Sequence, residues 1–305
     1  MKIICIEGCT ASGKSDLALL LAKELQTEII SADSRQVYKL LDIGTAKPNK
    51  QTLSEVSHHL IDILTPDQRY SAGNFVKDAR NIIQSLHKQS KVAILCGGTM
   101  LYFKCLLEGL SDIPDIDKEA MQKADEYMSS HSLPDCYEYV KSFDPKFAST
   151  ILPTDKQRIH RALCVWFAFE KPITSFWETE VYLPVFTPLK ILLNRDRETI
   201  YQRINTRTAA MVSAGLLQEI ESVLYQGYSP SDYGLTGVGY AEFLDIICQK
   251  NTSDKQKLQE CIDLAAQHTR NYAKRQITWY RKSSFDIISD DYESILAKAK
   301  CFAKA

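Results

Sequence analysis

Ile3-Ile4-Cys5-Ile6-Glu7-Gly8-Cys9-Thr10-Ala11-Ser12-Gly13-Lys14-Ser15 begins as an apolar run, passes through a glycine-bounded loop and enters the helical pattern Lys14–Leu25. Gly8, Cys9, Thr10, Ala11, Ser12, Gly13, Lys14 and Ser15 satisfy G-x4-G-K-[ST] in the setting that motif needs, straight after a strand and straight before a helix. The glycines let backbone N–H groups turn onto phosphate oxygens at the positive end of the helix dipole. Lys14 neutralises charge there, and the Ser15 hydroxyl can coordinate Mg2+. The stretch specifies diphosphate binding, which is a narrower statement than ATP hydrolysis.

Working outward, short β-rich apolar runs alternate with helical periods through the first hundred residues, the mark of a parallel sheet with helical crossovers. The expected strands are Ile3–Ile6, Glu28–Ser31, Leu60–Leu64 and Val92–Cys96, and the expected helices Lys14–Leu25, Ala72–Gln89 and Leu101–Leu107. A further β-like run, Lys190–Leu193, comes only much later. Between them, Lys118–Ser130, Pro134–Lys141 and Thr154–Phe169 read as amphipathic helices, in a stretch marked off by Pro114 and by Pro184 and Pro188. The last third is also helical: Glu198–Ala214, Leu217–Gln226, Tyr240–Gln249 and Lys255–Lys282. The fold expected is α/β, a P-loop NTPase-like parallel-sheet core (1–111 and 188–305) with a small α-helical insertion domain (112–187).

NTPases and kinases with this loop usually carry a Mg2+-linked Asp at the end of another apolar strand. Val92–Cys96 instead runs into Gly97-Gly98-Thr99, and Asp62 falls inside Leu60–Leu64. Asp33, just after Glu28–Ser31, is the remaining acid at a strand end, so the usual division of labour is in question.

Composition narrows the class. The chain has 305 residues, ordinary apolar and charged fractions, and no apolar stretch near the roughly 20 residues that span a bilayer, so no membrane partner is expected. With no leader-like pattern at the start, a cytoplasmic location is expected. Nine cysteines lack CxxC spacing and His partners, which argues against both a disulfide framework and a zinc site. A net charge of −1 is unpromising for RNA overall, yet Arg270, Lys274, Arg275, Arg281 and Lys282 form a segment without acids, interleaved with Tyr272, Trp279 and Tyr280. RNA contact and core packing of those aromatics both remain open. Arg203 and Arg207, four residues apart, read by themselves as a solvated helical face.

Five signatures in order resemble the tRNA dimethylallyltransferase (isopentenyltransferase) family: Gly8–Ser15; Asp33-Ser34-Arg35-Gln36-Val37-Tyr38; Asp42-Ile43-Gly44-Thr45-Ala46-Lys47-Pro48; Gly97-Gly98-Thr99; and Tyr272-Ala273-Lys274-Arg275-Gln276-x-Thr278-Trp279. His58–Asp62 and Gly237-x-Gly239-Tyr240 add support. Nearly the whole chain is covered, least well from Asp112 to Asp155. Cys9 departs from the family, which mostly has proline there; the position offers only backbone to phosphate, so loop stiffness should change and chemistry should not.

The resemblance implies a reaction: the exocyclic N6 amine of the adenosine just 3′ of a tRNA anticodon attacks the allylic carbon of dimethylallyl diphosphate, and diphosphate leaves. It implies Mg2+ on Ser15, Asp33 as general base, Thr10 near donor and amine, and Arg207 on the diphosphate. It also implies that Asp33, Ser34, Arg35, Gln36 and Thr99 line the adenosine side, and that Met121 with Gln157, Arg158, Ile159, His160 and Arg161 meets the anticodon stem-loop. The tRNAs would be those reading codons that begin with U, and the protein a monomer. Read alone, Asp33 could be a Mg2+ or helix-cap carboxylate, Thr10 a turn-stabilising hydroxyl, and Gln157–Arg161 a plain surface helix. A small-molecule kinase and a non-catalytic RNA-binding protein remain as rival classes.

Overall fold

The structure, a computed structural model, describes residues 1–109, 113–177 and 186–304. It divides into two units, Met1–Glu108 with Pro184–Ala305, and Gly109–Leu183. The expected start of the insertion, 112, lies outside the described residues, and its expected end, Thr187, is the first residue of a strand of the larger unit.

In the larger unit, β1 (Lys2–Gly8), β2 (Ile29–Ser31), β3 (His58–His59), β4 (Ala93–Gly97), β5 (Thr187–Leu193) and β6 (Ile287–Ser289) form one sheet in the order β3-β2-β4-β1-β5-β6. Every pairing is parallel. Parallel strands are covered on both faces, and β1 reads accordingly: Ile3 and Cys5 enter one apolar cluster, Ile4 and Ile6 the other, all fully buried. Each such side chain contributes roughly 1.5–3 kcal/mol.

The first face is covered by α3 (Ala72–Lys88) and α4 (Met100–Glu108), through Phe75, Ala79, Ile83 and Phe103. Ser71 caps α3 in a reciprocal box with Asn74, which satisfies orphan amides at its start. The second face is covered by α1 (Lys14–Leu25) and by α13 (Tyr292–Lys304), whose Ile295 and Ala299 are fully buried. Neither α13 nor the three-residue β6 was anticipated, nor was the short α2 (Lys50–Glu55). A third cluster joins α10 (Leu216–Tyr225), α11 (Ala241–Cys248) and part of α12 (Lys255–Tyr280), while α9 (Arg197–Ser213) runs beside α12.

One expected strand is corrected. Leu60–Leu64 is a turn, because Leu60 and Asp62 take φ values of 63° and 56°, and the strand is the preceding His58–His59. Lys47 holds the turn by pairing with Asp62, and Ile63 and Leu64 donate to the Val37 carbonyl at 2.9 and 3.0 Å.

The smaller unit consists of α5 (Lys118–Ser130), α6 (Leu133–Phe143), α7 (Pro145–Ala148), α8 (Lys156–Phe169) and a 3-10 turn at Ile173–Phe176 around a core of its own. Buried Asp144 ties it together, accepting from Phe147 and Thr174 amides and from the Thr174 hydroxyl at 2.8 Å. Among the described residues no helix is long and apolar enough to cross a membrane.

Candidate active site

β1 delivers the Gly8–Ser15 loop to the carboxyl edge of the sheet, where open α/β folds place ligands. Gly13, the N-cap of α1, has φ 98°, and a Cβ there would lie 2.6 Å from the Tyr292 hydroxyl; only glycine fits. The loop's carbonyls are drawn backwards. Tyr280 Oη donates to Gly8 O (3.4 Å), Lys14 Nζ to Cys9 O (3.3 Å), Arg195 Nε to Ser12 O (2.7 Å) and Tyr292 Oη to Gly13 O (2.6 Å). Within α1's first turn the Asp16 and Leu17 amides donate to Gly13 O at 3.1 and 3.3 Å, which leaves the Lys14 and Ser15 amides to face an anion.

Desolvation lowers the pKa of half-buried Lys14, and the Asp33 carboxylate opposes the shift. A diphosphate beside it would restore the charged form. Ala11, Gly13, Lys14, Ser15, Arg203 and Arg207 line an open cavity of about 600 Å3. Gly8, Cys9 and Ser12 do not line it; Cys9 is buried, its thiol donating to Ala273 O at 3.9 Å, and burial pushes the thiol pKa up to about 11, which makes it unreactive packing.

Beside this cavity lies a smaller one, about 190 Å3, to which Thr10, Asp33, Ser34, Arg35, Arg207 and Tyr272 contribute. Asp33 follows β2, and its Oδ1 accepts from the Arg35 amide at 2.8 Å. Arg207 reaches both cavities, and its Nη2 donates to Thr10 Oγ1 at 3.1 Å. Burial lowers its pKa, with Asp33 opposing. The pocket thus has a cationic end, a carboxylate and a hydroxyl within one enclosure, suited to expelling an anionic leaving group while a proton is taken nearby.

Gln36 and Thr99 do not line this cavity. Gln36 accepts from the Ser31 hydroxyl at 3.0 Å and donates to Thr45 and Ala46 carbonyls, and Thr99 Oγ1 accepts from the Ser34 amide at 3.0 Å. Both hold the Asp33 segment in place. The close approach demands glycine at 97, where a Cβ would sit 2.0 Å from Ala32 O.

Sequence alone assigns no role to two contributors, Gln276 and Glu219, and leaves Tyr272 open between RNA contact and packing. Gln276 accepts from the Thr10 amide at 3.0 Å and donates to Gly98 O at 2.8 Å; Tyr272 Oη donates to the same carbonyl at 3.1 Å. Tyr272, Gln276 and Tyr280, at i, i+4 and i+8, form one helical face, and that spacing was the available signal. Of the two readings open for the basic aromatic segment of α12, packing holds for Tyr272 and Tyr280, which wall the loop from behind, with Lys274 and Arg275 exposed on the helix's far side. Burial, aided by the charge of Asp33, pushes Tyr272 up to about 12, so it stays a neutral donor. Glu219 accepts from the Asp42 and Ile43 amides at 2.8 Å each and from the Tyr240 hydroxyl at 2.7 Å, fixing the Asp42–Pro48 loop.

In the smaller unit, Gln157, Arg158 and Arg161 are exposed on α8, Arg158 sits 3.4 Å from Asp155, and His160 Nε2 is 2.9 Å from Asp125. Met121 packs at the edge of that unit's core. Ile159 is a correction: helical periodicity turns it inward, where it is 0% exposed, so its side chain is not available to RNA.

A family model described as IPP transferase matches residues 36–283. The chain is 37% identical over 298 residues to tRNA dimethylallyltransferase 2 of Geotalea uraniireducens, covering 97% of this chain and 94% of that one. It is 38% identical over 303 residues to tRNA dimethylallyltransferase of Thermoanaerobacter sp. strain X514, covering 96% and 94%. Among solved structures it is similar to the tRNA delta(2)-isopentenylpyrophosphate transferase of Staphylococcus epidermidis, with TM-score 0.69, 32% identity, and 98% and 97% coverage. A eukaryotic dimethylallyltransferase acting on tRNA superposes with TM-score 0.78 at 29% identity, over 96% of this chain and 75% of that one.

Proposed function

The chain belongs to the IPP transferase family, and from that membership we infer that it transfers a dimethylallyl group from dimethylallyl diphosphate to tRNA and releases diphosphate. The observation that carries the reading is the position of Arg207, which borders both the Lys14–Ser15 cavity and the Asp33 cavity and bonds Thr10 between them. A diphosphate held in the first cavity has its allylic carbon directed into the second.

The acceptor is the N6 amine of the adenosine just 3′ of the anticodon, in tRNAs reading codons that begin with U. Its lone pair is delocalised into the ring, so a base that takes the proton as the C–N bond forms speeds attack. Asp33 is that base. As the new bond forms, the allylic C–O bond breaks and its electron pair leaves on the diphosphate, whose charge Lys14 and Arg207 stabilise. Thr10 positions the donor through its bond to Arg207. The target base must leave its stack to reach Asp33, and Ser34 and Arg35 line its path.

Mg2+ fits the residues present. Among the described residues no group of three or more His, Cys, Asp and Glu forms a metal cage. Ser15, with the Asp16 carboxylate lining the same cavity, suits an ion that takes most of its ligands from phosphates and water. When bound there, Mg2+ would supply further charge neutralisation to the leaving group. Exposed Gln157, Arg158 and Arg161, with His160 and Met121, are the side chains we assign to the anticodon stem-loop. The protein acts as a cytoplasmic monomer.

Incubation of the purified protein with dimethylallyl diphosphate, Mg2+ and unmodified tRNA tests the reading. The expected result is a five-carbon mass gain on one adenosine. Phosphate release from ATP without that gain, or tRNA retention without product, would replace it with a kinase or a binding module respectively.

A further inference from the structure

We propose that Met211 sets the length of the prenyl chain that the enzyme accepts, a proposal that rests on the prenyl-transfer reading above. Arg207 and Met211 lie one turn apart on α9, which places the Met211 backbone about 6 Å beyond the arginine along the helix. That distance matches the reach of a five-carbon tail whose diphosphate contacts Arg207, and falls short of a ten-carbon one.

Met211 is half-buried and lines the Asp33 cavity. It also lines an open groove of about 710 Å3, whose apolar part is formed by Ile43, Pro48, Leu53, Ala210 and Ala214 and whose rim carries the charged groups of Asp42, Lys47, Lys50, Asp62 and Arg207. The Asp33 cavity, at about 190 Å3, has to take a purine and a five-carbon group together, so it holds no second isoprene unit. An apolar space of about 150 Å3 is enough for a benzene-sized group, and the groove exceeds that several times over. The thioether therefore stands between the Asp33 cavity, which purine and five-carbon group would fill, and the apolar part of the open groove. On the groove side α9 and its C-cap present, besides Met211, the Arg207 side chain and the small side chains of Ala210 and Ala214.

Removing the Met211 side chain beyond Cβ joins the two spaces. Geranyl diphosphate would then react by the same bond changes: N6 attacks C1, the C1–O bond breaks, the proton goes to the base and diphosphate departs. Only the destination of the distal five carbons differs.

The test compares wild type, Met211→Ala, Met211→Leu and Met211→Ala/Ala214→Leu with dimethylallyl and geranyl diphosphate on the same unmodified tRNA, scoring product by adenosine mass. Met211→Ala should raise the geranyl-to-dimethylallyl kcat/KM ratio by about tenfold or more. Met211→Leu should keep the wild-type ratio, and the double variant, which refills the groove, should return towards it. A Met211→Ala ratio within about twofold of wild type overturns the proposal, as does a gain that the refilled groove leaves untouched. If Met211→Ala folds normally but turns over neither donor, the affinity ratio of the two diphosphates by calorimetry without tRNA replaces the kinetic ratio, and an unchanged ratio is again decisive against it. Failure of wild type to use dimethylallyl diphosphate would instead remove the underlying reading.

Discussion

The side-chain oxygen of Gln276 accepts a hydrogen bond from the Thr10 amide at 3.0 Å across 266 residues of sequence, inside a region where Gln276 is 0% exposed. Its amide nitrogen meanwhile donates to Gly98 O, so one glutamine couples the P-loop to the end of β4. The consequence is that α12 braces the catalytic loop from behind.

Replacing Gln276 with Leu leaves the half-buried Thr10 amide without this acceptor, whereas Gly98 O keeps Tyr272. The expected cost is about 1–3 kcal/mol of unfolding free energy, with donor affinity falling as the loop loosens. Urea titration and calorimetry with an unreactive diphosphate analogue measure the two effects. A variant indistinguishable from wild type in both would deny Gln276 its bracing role.

Asp33→Asn should cut turnover by roughly 10²–10⁴, the usual worth of a general base, and leave donor affinity nearly intact. The carboxamide keeps an oxygen for the Arg35 amide, so the local turn survives. Single-turnover kinetics with saturating donor and tRNA report the chemical step. Unchanged turnover would move Asp33 to a structural role.

Lys14→Ala should weaken donor binding by about 10–100-fold, since a hydrogen bond to a charged group is worth about 1.5–3 kcal/mol. Calorimetry with the same analogue, run with and without Mg2+, measures this and the metal's share together. Equal affinity in wild type and variant would discredit the cradle.

Glu7, 4% exposed on β1 directly before the loop, is held well above the usual carboxylate range, at about 7 against 4.5 for the free residue, by burial and against the pull of Lys190. Folding therefore favours its protonated form. The stabilisation is fully present below about pH 4.5 and is lost as pH rises through about 7, a swing of about 3 kcal/mol. Glu7→Gln, which mimics the protonated group, should overtake wild type in stability as pH rises from 5 to 8. Parallel stability–pH curves for the two proteins would contradict this.

What could be read from residues alone was whatever depends on near neighbours in the chain. The Gly8–Ser15 loop is legible because eight consecutive residues, two of them at positive φ, carry its signature, although Tyr280, Arg195, Tyr292 and Gln276 hold it from remote segments. The α/β alternation and the small unit's helices are legible for the same reason: a buried face imposes its period on the segment that owns it. Short-range patterns mislead where a distant partner overrules them. Leu60–Leu64 looks like a strand, yet Lys47 captures Asp62 and turns the backbone. Ile159 sits among residues that suit a phosphate surface, but its own position on α8 faces the core.

The active site belongs mostly to that second category. Arg203 and Arg207 have identical spacing signals, and only the packed structure leaves the first exposed while it carries the second 197 residues back to Thr10. Gln276 has no role legible in the chain, and Tyr272 is open between RNA contact and packing, until α12 is seen against the loop. Backbone geometry is a local property, so the sequence alone was enough to specify the phosphate cradle. Desolvation and hydrogen-bond pairing arise between segments that are remote along the chain, so the choice of which cation, amide and carboxylate meet the substrate was made only by the tertiary fold.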